Sequence, residues 1–285
     1  TDNGILIYNY RTDRYEQPAT DFPTDVRTMA LQGDTLWIGA LNGLYTYQLQ
    51  NRKLSPLGTK RNGLPHNTIY SIIRTGDNQI YVGTYNGLCR YIASNGKFEK
   101  IPLPVNSSQS NLFVNSLLED TGRQCIWIGT EGYLFQYFPS TGQMKQTEAF
   151  HNNSIKSLAL DGNGYLLAGT DNGLYVYHND VTPLQHIIHD SRNIQSLTNN
   201  IIWNIFADQE HNIWLGTDYG ISLSRYNSAL QFIPISQITG TGDGNQFYSL
   251  FRDSKGFYWF GGTNGLIRFT DPAGDKHNAI WYRMG

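Results

Sequence analysis

Residues 166–177 read Leu-Leu-Ala-Gly-Thr-Asp-Asn-Gly-Leu-Tyr-Val-Tyr, and this phrase recurs in variant form along the whole chain. Its other copies are residues 36–47, 80–91, 126–137, 213–224 and 258–269, and a shortened copy opens the sequence at residues 1–8. The glycine that closes the turn, replaced once by Tyr133, recurs in steps of 39, 44, 46, 40, 47 and 45 residues. This glycine is expected to have a positive φ angle, and Gly132 is expected to take over its role where Tyr133 stands. The steps average about 44 residues, which is the period of a four-stranded propeller blade.

Each complete repeat predicts four short strands. In the repeat that begins near Asn200 they are residues 201–207, 213–217, 221–225 and 231–235, which are runs rich in β-branched and aromatic residues. Residues 1–20 hold only a third and a fourth strand, a half-blade. Six complete blades follow, at about residues 24–57, 66–103, 111–148, 153–189, 199–235 and 245–284.

The prediction is therefore an all-β protein whose residues 1–285 form a single β-propeller domain of four-stranded antiparallel blades. Propellers avoid exposed sheet edges by closing their ring, so six and a half units favour seven blades with the first one incomplete. A six-bladed ring with an appended hairpin is the alternative. We expect the sequence to be a fragment of a longer protein.

Composition excludes several classes of function. The net charge is −2 and no basic run occurs, which argues against a nucleic-acid surface. No apolar stretch approaches the length of a membrane span. Cys89 and Cys125 fall in different repeats, near opposite ends of neighbouring predicted blades, and both are expected to be free thiols.

The repeat resembles the two-component regulator propeller repeat. The resemblance is carried by Trp-Ile-Gly-Thr, as at residues 127–130, followed by Asn-Gly-Leu-Tyr, as at residues 172–175. It implies the periplasmic sensor region of a hybrid two-component histidine kinase of carbohydrate-utilising gut bacteria. Such sensors detect oligosaccharides, act as homodimers and regulate polysaccharide-utilisation genes.

For this chain the resemblance implies a periplasmic location, as part of an inner-membrane protein, and a membrane tether only through segments outside the sequence. It also implies that the histidine kinase module and the DNA-binding regulator lie elsewhere. The chain itself is expected to bind no nucleic acid and to have no catalytic activity.

Alignment of the predicted first strands gives three columns of residues. One is apolar and consists of Val26, Ile69, Val114, Ile155, Ile202 and Phe247. A second is small and polar and consists of Thr28, Ser71, Ser116, Ser157, Asn204 and Ser249. Between them lies an irregular column that consists of Arg27, Tyr70, Asn115, Lys156, Trp203 and Tyr248. A scaffold position should be filled alike in equivalent blades, so the irregular column is the candidate ligand site.

The chemistry of the irregular column suits a saccharide. Aromatic faces stack on the C–H patches of sugars, while amides and cations pair with hydroxyl groups. Arg27 and Lys156 would also suit a carboxylate or a sulfate. Four residues of the turns and inter-blade loops join the candidate set: His66, Tyr85, Asp218 and Tyr219. The alternative reading is that these side chains only fill or solvate a central channel.

The sequence offers no catalytic constellation. The carboxylates on the same predicted face, Asp25, Glu131, Asp171 and Asp218, belong to different blades and form no evident pair. The seven histidines lack metal-ligand spacing, so no catalytic residue, metal or cofactor is predicted. Two alternatives remain open beside an oligosaccharide sensor. One is a carbohydrate-active propeller enzyme, a lyase or glycoside hydrolase, and the other is a pure protein-interaction propeller.

Overall fold

Antiparallel strands make up the regular secondary structure of this protein in a computed structural model. The structure describes residues 5–16, 22–57, 62–104, 112–146, 153–178, 182–193, 196–225, 230–233, 246–263, 265–270 and 279–282. Within these ranges the chain forms 26 strands and no α-helix. A search of the same ranges for a helix long and apolar enough to cross a membrane finds none.

The chain divides into two compact units, and the first contains residues 1–131 and 136–144. It begins with a two-stranded sheet and continues with three four-stranded sheets in which the strands follow chain order. The strands are β1 (Ile7–Asn9), β2 (Arg14–Glu16), β3 (Val26–Gln32), β4 (Thr35–Ala40), β5 (Gly43–Gln48), β6 (Lys53–Leu57), β7 (Ile69–Arg74), β8 (Ile80–Thr84), β9 (Gly87–Ile92), β10 (Lys97–Ile101), β11 (Val114–Asp120), β12 (Cys125–Thr130), β13 (Leu134–Phe138) and β14 (Gln143–Gln146).

The second unit contains residues 132–135 and 145–285 and has three four-stranded sheets, again in chain order. Its strands are β15 (Ile155–Leu160), β16 (Leu166–Thr170), β17 (Gly173–Tyr177), β18 (Pro183–Ile187), β19 (Ile202–Ala207), β20 (Ile213–Thr217), β21 (Gly220–Ser224), β22 (Leu230–Ile233), β23 (Phe247–Arg252), β24 (Tyr258–Gly262), β25 (Gly265–Phe269) and β26 (Ile280–Tyr282).

These sheets are the blades of a β-propeller, so the predicted fold class is confirmed. In the first unit the first strands of successive sheets lie side by side, β3 against β7 and β7 against β11. In the second unit β15 lies against β19 and β19 against β23. The first strand is thus the inner strand of its blade, as in other propellers. The strands β1 and β2 form a separate two-stranded antiparallel sheet.

The glycine of the Gly-Thr phrase allows successive blades to approach closely. A Cβ atom added to Gly83 would lie 2.6 Å from Cγ1 of Val114, the apolar residue at the start of the next inner strand. Gly39, Gly169 and Gly216 meet Ile69, Ile202 and Phe247 in the same way, at 2.5 to 2.7 Å. These distances are far below van der Waals contact, so each position accepts only glycine without rearrangement.

The threonine of the same phrase fixes the turn that follows it. The Thr84 hydroxyl donates a hydrogen bond of 2.9 Å to the Gly87 carbonyl and accepts one of 3.1 Å from the Asn86 amide. Thr170 and Thr217 make the corresponding bonds, and all three side chains are fully buried. A buried hydroxyl that both donates and accepts incurs no desolvation penalty, which explains why Thr recurs here.

The turn glycines behave as predicted in most repeats. Gly87, Gly173, Gly220 and Gly265 have φ between 97° and 127°, a region that glycine enters without steric cost. In the repeat where Tyr133 replaces this glycine, Gly132 has φ of 89° and takes over the role one residue earlier, as the sequence suggested. The prediction was wrong for Gly43, whose φ is not positive; a Cβ there would instead meet the Tyr45 ring at 3.1 Å.

Two tryptophans of the second strands, Trp37 and Trp214, pack against the next blade. The ring centroid of Trp37 lies 4.9 Å from that of Tyr91 in the next sheet, and that of Trp214 lies 4.9 Å from that of Tyr258. Three tryptophans of the second strands are each hydrogen-bonded to a buried aspartate, a feature that sequence reasoning missed. The indole N–H groups of Trp127, Trp214 and Trp259 donate to Asp120, Asp208 and Asp253 at 2.9 to 3.0 Å.

Asp208 makes the fullest set of these bonds. Its Oδ1 accepts from the amides of Glu210 and Asn212, and its Oδ2 accepts from Trp214 and from the Tyr258 hydroxyl of the next blade. Burial alone would raise the pKa of this carboxyl, but these donors outweigh burial and the pKa lies below its ordinary value. The carboxylate therefore stays ionised and ties two blades together.

Candidate functional site

Every residue of the irregular column lies at a β-bulge of an inner strand. In the first complete blade Val26 pairs with Ala40 and Thr28 pairs with Gly39, so Arg27 is the extra residue with no partner in the ladder. The same shift of register occurs at Tyr70, Asn115, Lys156, Trp203 and Tyr248. A bulge re-aims the side chain that it carries and is common beside functional sites.

The flanking columns explain how the bulge is held. The apolar residue before it is fully buried in five blades, while Val26 in the first complete blade is half-buried. The small polar residue after it faces the close-approach glycine; the Ser71 hydroxyl, for example, donates to the Val114 carbonyl at 3.2 Å. Because the residues on either side are fixed by packing, the bulged residue between them can vary without disturbing the sheet.

The turns between second and third strands lie on the same face as the bulges. The Gly87 amide donates to the Leu112 carbonyl, at the start of the next inner strand, at 3.0 Å. In the second unit the Gly132 amide donates to Asn153 at 3.0 Å and the Gly173 amide to Asn200 at 2.7 Å. Each of these turns is thus hydrogen-bonded to a residue just before the strand that carries the neighbouring bulge.

In the first unit four rings form an aromatic cluster, which consists of His66, Tyr70, Tyr85 and Phe113. The Tyr85 centroid lies 4.2 Å from that of Phe113 and 4.8 Å from that of His66, and the Tyr70 and Phe113 centroids are 6.1 Å apart. The Thr68 amide donates to Nδ1 of His66 at 3.0 Å, which holds the imidazole ring in place.

Two opposite charges influence Tyr70. Burial raises the pKa of its phenol, and the negative charge of Glu131 raises it further, while the Arg27 guanidinium acts in the opposite direction. The hydroxyl therefore keeps its proton at neutral pH and can donate a hydrogen bond. The aromatic cluster offers ring faces and a hydroxyl donor between one acidic and one basic side chain.

In the second unit five side chains form what we call the Lys156–Trp203 cluster, which consists of Lys156, Asp171, Trp203, Asp218 and Tyr248. Nζ of Lys156 lies 4.1 Å from the centroid of the Trp203 ring and 2.7 Å from Oδ1 of Asp171. The Trp203 indole N–H donates to Asp218, and the Tyr248 ring meets Trp203 edge-on at a centroid distance of 5.1 Å. Trp203 therefore contacts two other members of the irregular column, Lys156 and Tyr248.

Three further predicted residues differ in their exposure. Arg27 is exposed, and Asn115 is half-buried in the first unit. Tyr219 is 72% exposed at its turn tip, the largest exposure among the described large hydrophobic residues. Its position leaves the ring face open to a ligand or to another protein.

The long inter-blade loops show mainly internal bonds where they are described. His189 contacts the Leu197 carbonyl through Nδ1, and Arg192 pairs with Asp190 at 3.1 Å. These bonds hold His189, Asp190 and Arg192 to neighbouring residues of the same loop. Residues 58–61, 194–195 and 236–245 of the predicted loops lie outside the described residues.

Sequence reasoning missed three contributors to the site. Phe113 completes the aromatic cluster, and it is the only aromatic residue directly before an apolar-column residue, which was a usable signal. Asp171 was considered only as a turn former and a spare carboxylate, yet it pairs with Lys156. Gln246 accepts a hydrogen bond from the Tyr248 hydroxyl.

Two of the candidate carboxylates make a hydrogen bond or an ion pair within the protein, and both candidate nucleophiles are buried. Asp171 is paired with Lys156, and Asp218 accepts from Trp203. Cys89 and Cys125 form no disulfide, as predicted, and both are buried. Burial raises the pKa of Cys89, so it is not an activated thiolate. In the described ranges no group of three or more His, Cys, Asp or Glu residues could hold a metal ion.

Comparison with known proteins identifies the repeat. The family model named two component regulator propeller matches residues 63–86, 196–219 and 241–264. Two solved structures of the extracellular domain of one B. thetaiotaomicron system are 91% and 92% identical to the chain. One is assigned to a one-component and the other to a hybrid two-component system. In both, the match covers 100% of this chain with a TM-score of 0.77.

Other relatives are more distant. The protein "Histidine kinase P4" of Formosa agariphila is 29% identical over 93% of this chain. Virginiamycin B lyase from Staphylococcus aureus is 13% identical over 91% of the chain, with a TM-score of 0.65, and shares the fold alone. The chain spans 38% of the length of the two solved extracellular domains and 21% of the F. agariphila kinase.

Proposed function

We propose that this chain, which belongs to the two-component regulator propeller family, recognises an oligosaccharide outside the cytoplasm for a hybrid two-component sensor. Its similarity to extracellular domains of such systems supports a sensor role. The periplasm is the compartment we propose, with a membrane tether and a histidine kinase supplied by other parts of the protein. The output would be regulation of polysaccharide-utilisation genes.

One observation carries the proposal. The six positions that break the repeat pattern all lie on β-bulges of inner strands. The described contacts join several of them into clusters of aromatic and charged side chains. A repeat fold needs the same residue at equivalent positions, so divergence at one geometrically special position favours recognition over scaffolding. Rings beside hydroxyl-pairing groups are the chemistry that a saccharide requires.

Sensing needs more than binding. A ligand shifts an equilibrium between two arrangements only by its difference in affinity for them, so tight binding to both would transmit nothing. We propose that the intact sensor is a homodimer and that the ligand favours one arrangement of it. The kinase outside this chain would respond to that shift.

A non-catalytic role is the reading we favour for this chain. The carboxylates in the Lys156–Trp203 cluster are engaged with Lys156 and Trp203, whereas glycoside hydrolysis needs two carboxyl groups free to act on one bond. The likeness to a lyase concerns the fold alone, and function lives in sites rather than folds. A protein-interaction role is the second candidate, and the exposed Tyr219 ring favours it.

The deciding experiment is a calorimetric screen of defined oligosaccharides against the chain, followed by chromatography of each saccharide after long incubation. We expect at least one saccharide to bind and to be recovered intact. Release of shortened or unsaturated products would establish an enzyme instead. Absence of saccharide binding together with self-association lost in Tyr219→Ala would favour the protein-interaction function.

A further inference from the structure

We propose that the saccharide taken by the Lys156–Trp203 cluster is uncharged, an inference that rests on the proposed function and names the class of its ligand. The isolated sequence suggested the opposite option, because Lys156 would suit a carboxylate or a sulfate. The structure changes that expectation, because the cluster holds two carboxylates and one cation and is therefore negatively charged.

The ammonium group of Lys156 is already neutralised. Its Nζ lies 2.7 Å from Oδ1 of Asp171, within a side chain only 17% exposed. The other oxygen, Oδ2 of Asp171, accepts a hydrogen bond of 3.2 Å from the Ser154 amide, which fixes the carboxylate in place. An acidic ligand would have to compete with this preorganised carboxylate for the same cation.

Asp218 adds a second negative charge to the cluster. It accepts a hydrogen bond from the neutral indole N–H of Trp203, which orients the carboxylate without cancelling its charge. With one cation and two carboxylates the cluster carries a net charge of −1. An anionic group brought within about 4 Å of the Asp218 carboxylate would be repelled, at a cost of about tenfold or more in affinity for a partly exposed pair.

The same side chains suit the hydroxyl groups of a neutral sugar. Carboxylates accept hydrogen bonds from hydroxyl groups, and a bond to a charged acceptor is stronger than one between neutral groups. The Tyr248 ring is 37% exposed and is held edge-on against Trp203, with an interplanar angle of 75°. It offers a fixed face for the C–H patch of a pyranose beside the acceptors.

The test compares neutral and acidic saccharides of matched length by calorimetry on the chain. The neutral probes are cellotriose, mannotriose, galactotriose and xylotriose, and the acidic probes are trigalacturonic acid and sulfated galactotriose. We expect a neutral probe to bind at least tenfold more tightly than every acidic probe. Its affinity should also change less than about twofold when the salt concentration rises tenfold, because no ion pair forms.

Variants assign the effect to the cluster. Asp218→Asn keeps the size of the side chain and removes its charge, and we expect it to weaken the neutral probe about tenfold. Asp190→Asn, which alters a carboxylate paired with Arg192 in a loop, is the matched control and should leave affinity unchanged.

Each contrary outcome has a distinct meaning. An acidic probe that binds at least as tightly as any neutral one, and is lost in Lys156→Gln, overturns the inference while oligosaccharide sensing stands. Failure of every saccharide to bind, or a neutral hit indifferent to Trp203→Ala and Asp218→Asn, overturns both this inference and the proposed site.

Discussion

The Lys156 ammonium lies 4.1 Å above the centroid of the Trp203 ring, and the two residues are bulged positions of neighbouring inner strands. An ammonium over an indole face is attracted by the ring quadrupole, which contributes about 0.5–2 kcal/mol according to exposure. The contact joins two blades at the face where the repeat diverges most. The Trp203 ring thus contacts the Lys156 ammonium and also packs against the Tyr248 ring.

Removal of the Trp203 ring is expected to weaken saccharide binding strongly. Trp203→Ala deletes the surface that orients Lys156, Asp218 and Tyr248, so we expect at least a tenfold rise in the Kd of any saccharide hit, measured by calorimetry. Leu184→Ala, at an exposed position of the outer strand β18, should leave the Kd unchanged. Retention of full affinity by Trp203→Ala would remove the cluster from the binding site.

Loss of the Asp208 charge is expected to destabilise the fold. In Asp208→Asn an amide N–H₂ would face the donors Trp214 and Tyr258, so we expect the free energy of unfolding to fall by about 3 kcal/mol. Asp161→Asn is a matched control, because Asp161 accepts hydrogen bonds from backbone amides in the corresponding turn of another blade. No described hydrogen bond joins Asp161 to a tryptophan. The loss in this control should be about 1 kcal/mol in urea unfolding. Equal losses would contradict the role of the indole bond.

The contribution of Asp208 should also depend on pH. Its pKa is lowered in the folded state from an ordinary value of 3.8, so the stabilisation is fully present above that value. It is lost as the pH falls through the folded pKa, because the unfolded chain has the higher pKa and binds the proton first, which favours unfolding. The gap in unfolding free energy between the native chain and Asp208→Asn should be constant from pH 8 to about pH 5 and then narrow. A difference in unfolding free energy that grows in acid would contradict a lowered pKa of Asp208 in the folded state.

The close-approach glycines should be intolerant of a methyl group. In Gly83→Ala the new Cβ would lie 2.3 Å from the Ser71 hydroxyl and 2.7 Å from the Val114 carbonyl, so we expect a loss of about 1–3 kcal/mol. Gly76→Ala is the comparison, since its Cβ would meet only Glu119 oxygens, at 3.6 and 3.9 Å. Thermal unfolding should show a clear drop in Tm for the first and little for the second. A similar Tm for both would mean that the blades can separate at no cost.

The two thiols should be unreactive in the folded protein. Cys89 and Cys125 are 0% and 2% exposed, and burial raises the pKa of Cys89. Because the thiolate is the reactive species, we expect a thiol reagent at pH 8 to label neither cysteine in native protein and both after denaturation in urea. Fast labelling of the native chain would indicate that the blades which carry them open readily.

The repeat itself was readable from sequence because it rests on local chemistry. The residues of the turn phrase favour the turn by themselves. The Thr84 hydroxyl, for example, donates a hydrogen bond across the turn, and Gly87 adopts a positive φ angle. The strand boundaries predicted for the repeat near Asn200 differ from those observed by at most two residues. The same reasoning selected the irregular column, although it had no means to identify that column as a row of bulges.

Side-chain contacts between different blades could not be predicted from the sequence in the same way. Asp171 looked like a turn residue because its contact with Lys156 joins positions that the chain reaches only after folding. Asp208 and Tyr258 are 50 residues apart, and nothing in either local sequence announces the bond between them. Phe113 was detectable in principle, as the odd member of its column, but only the fold shows that it packs against Tyr85.

The sequence by itself determined the repeat, the four-stranded blade, the turn geometry and the one column where the copies disagree, because backbone preference and hydrophobic pattern act over a few residues. The tertiary structure decided which of those divergent side chains meet. It also decided that Lys156 is neutralised by Asp171, while Asp218 has no ion pair among the residues that the structure describes. Charge balance at a site depends on distances between blades, and those distances are set by packing around glycines such as Gly83 and Gly169 rather than by any local run of residues.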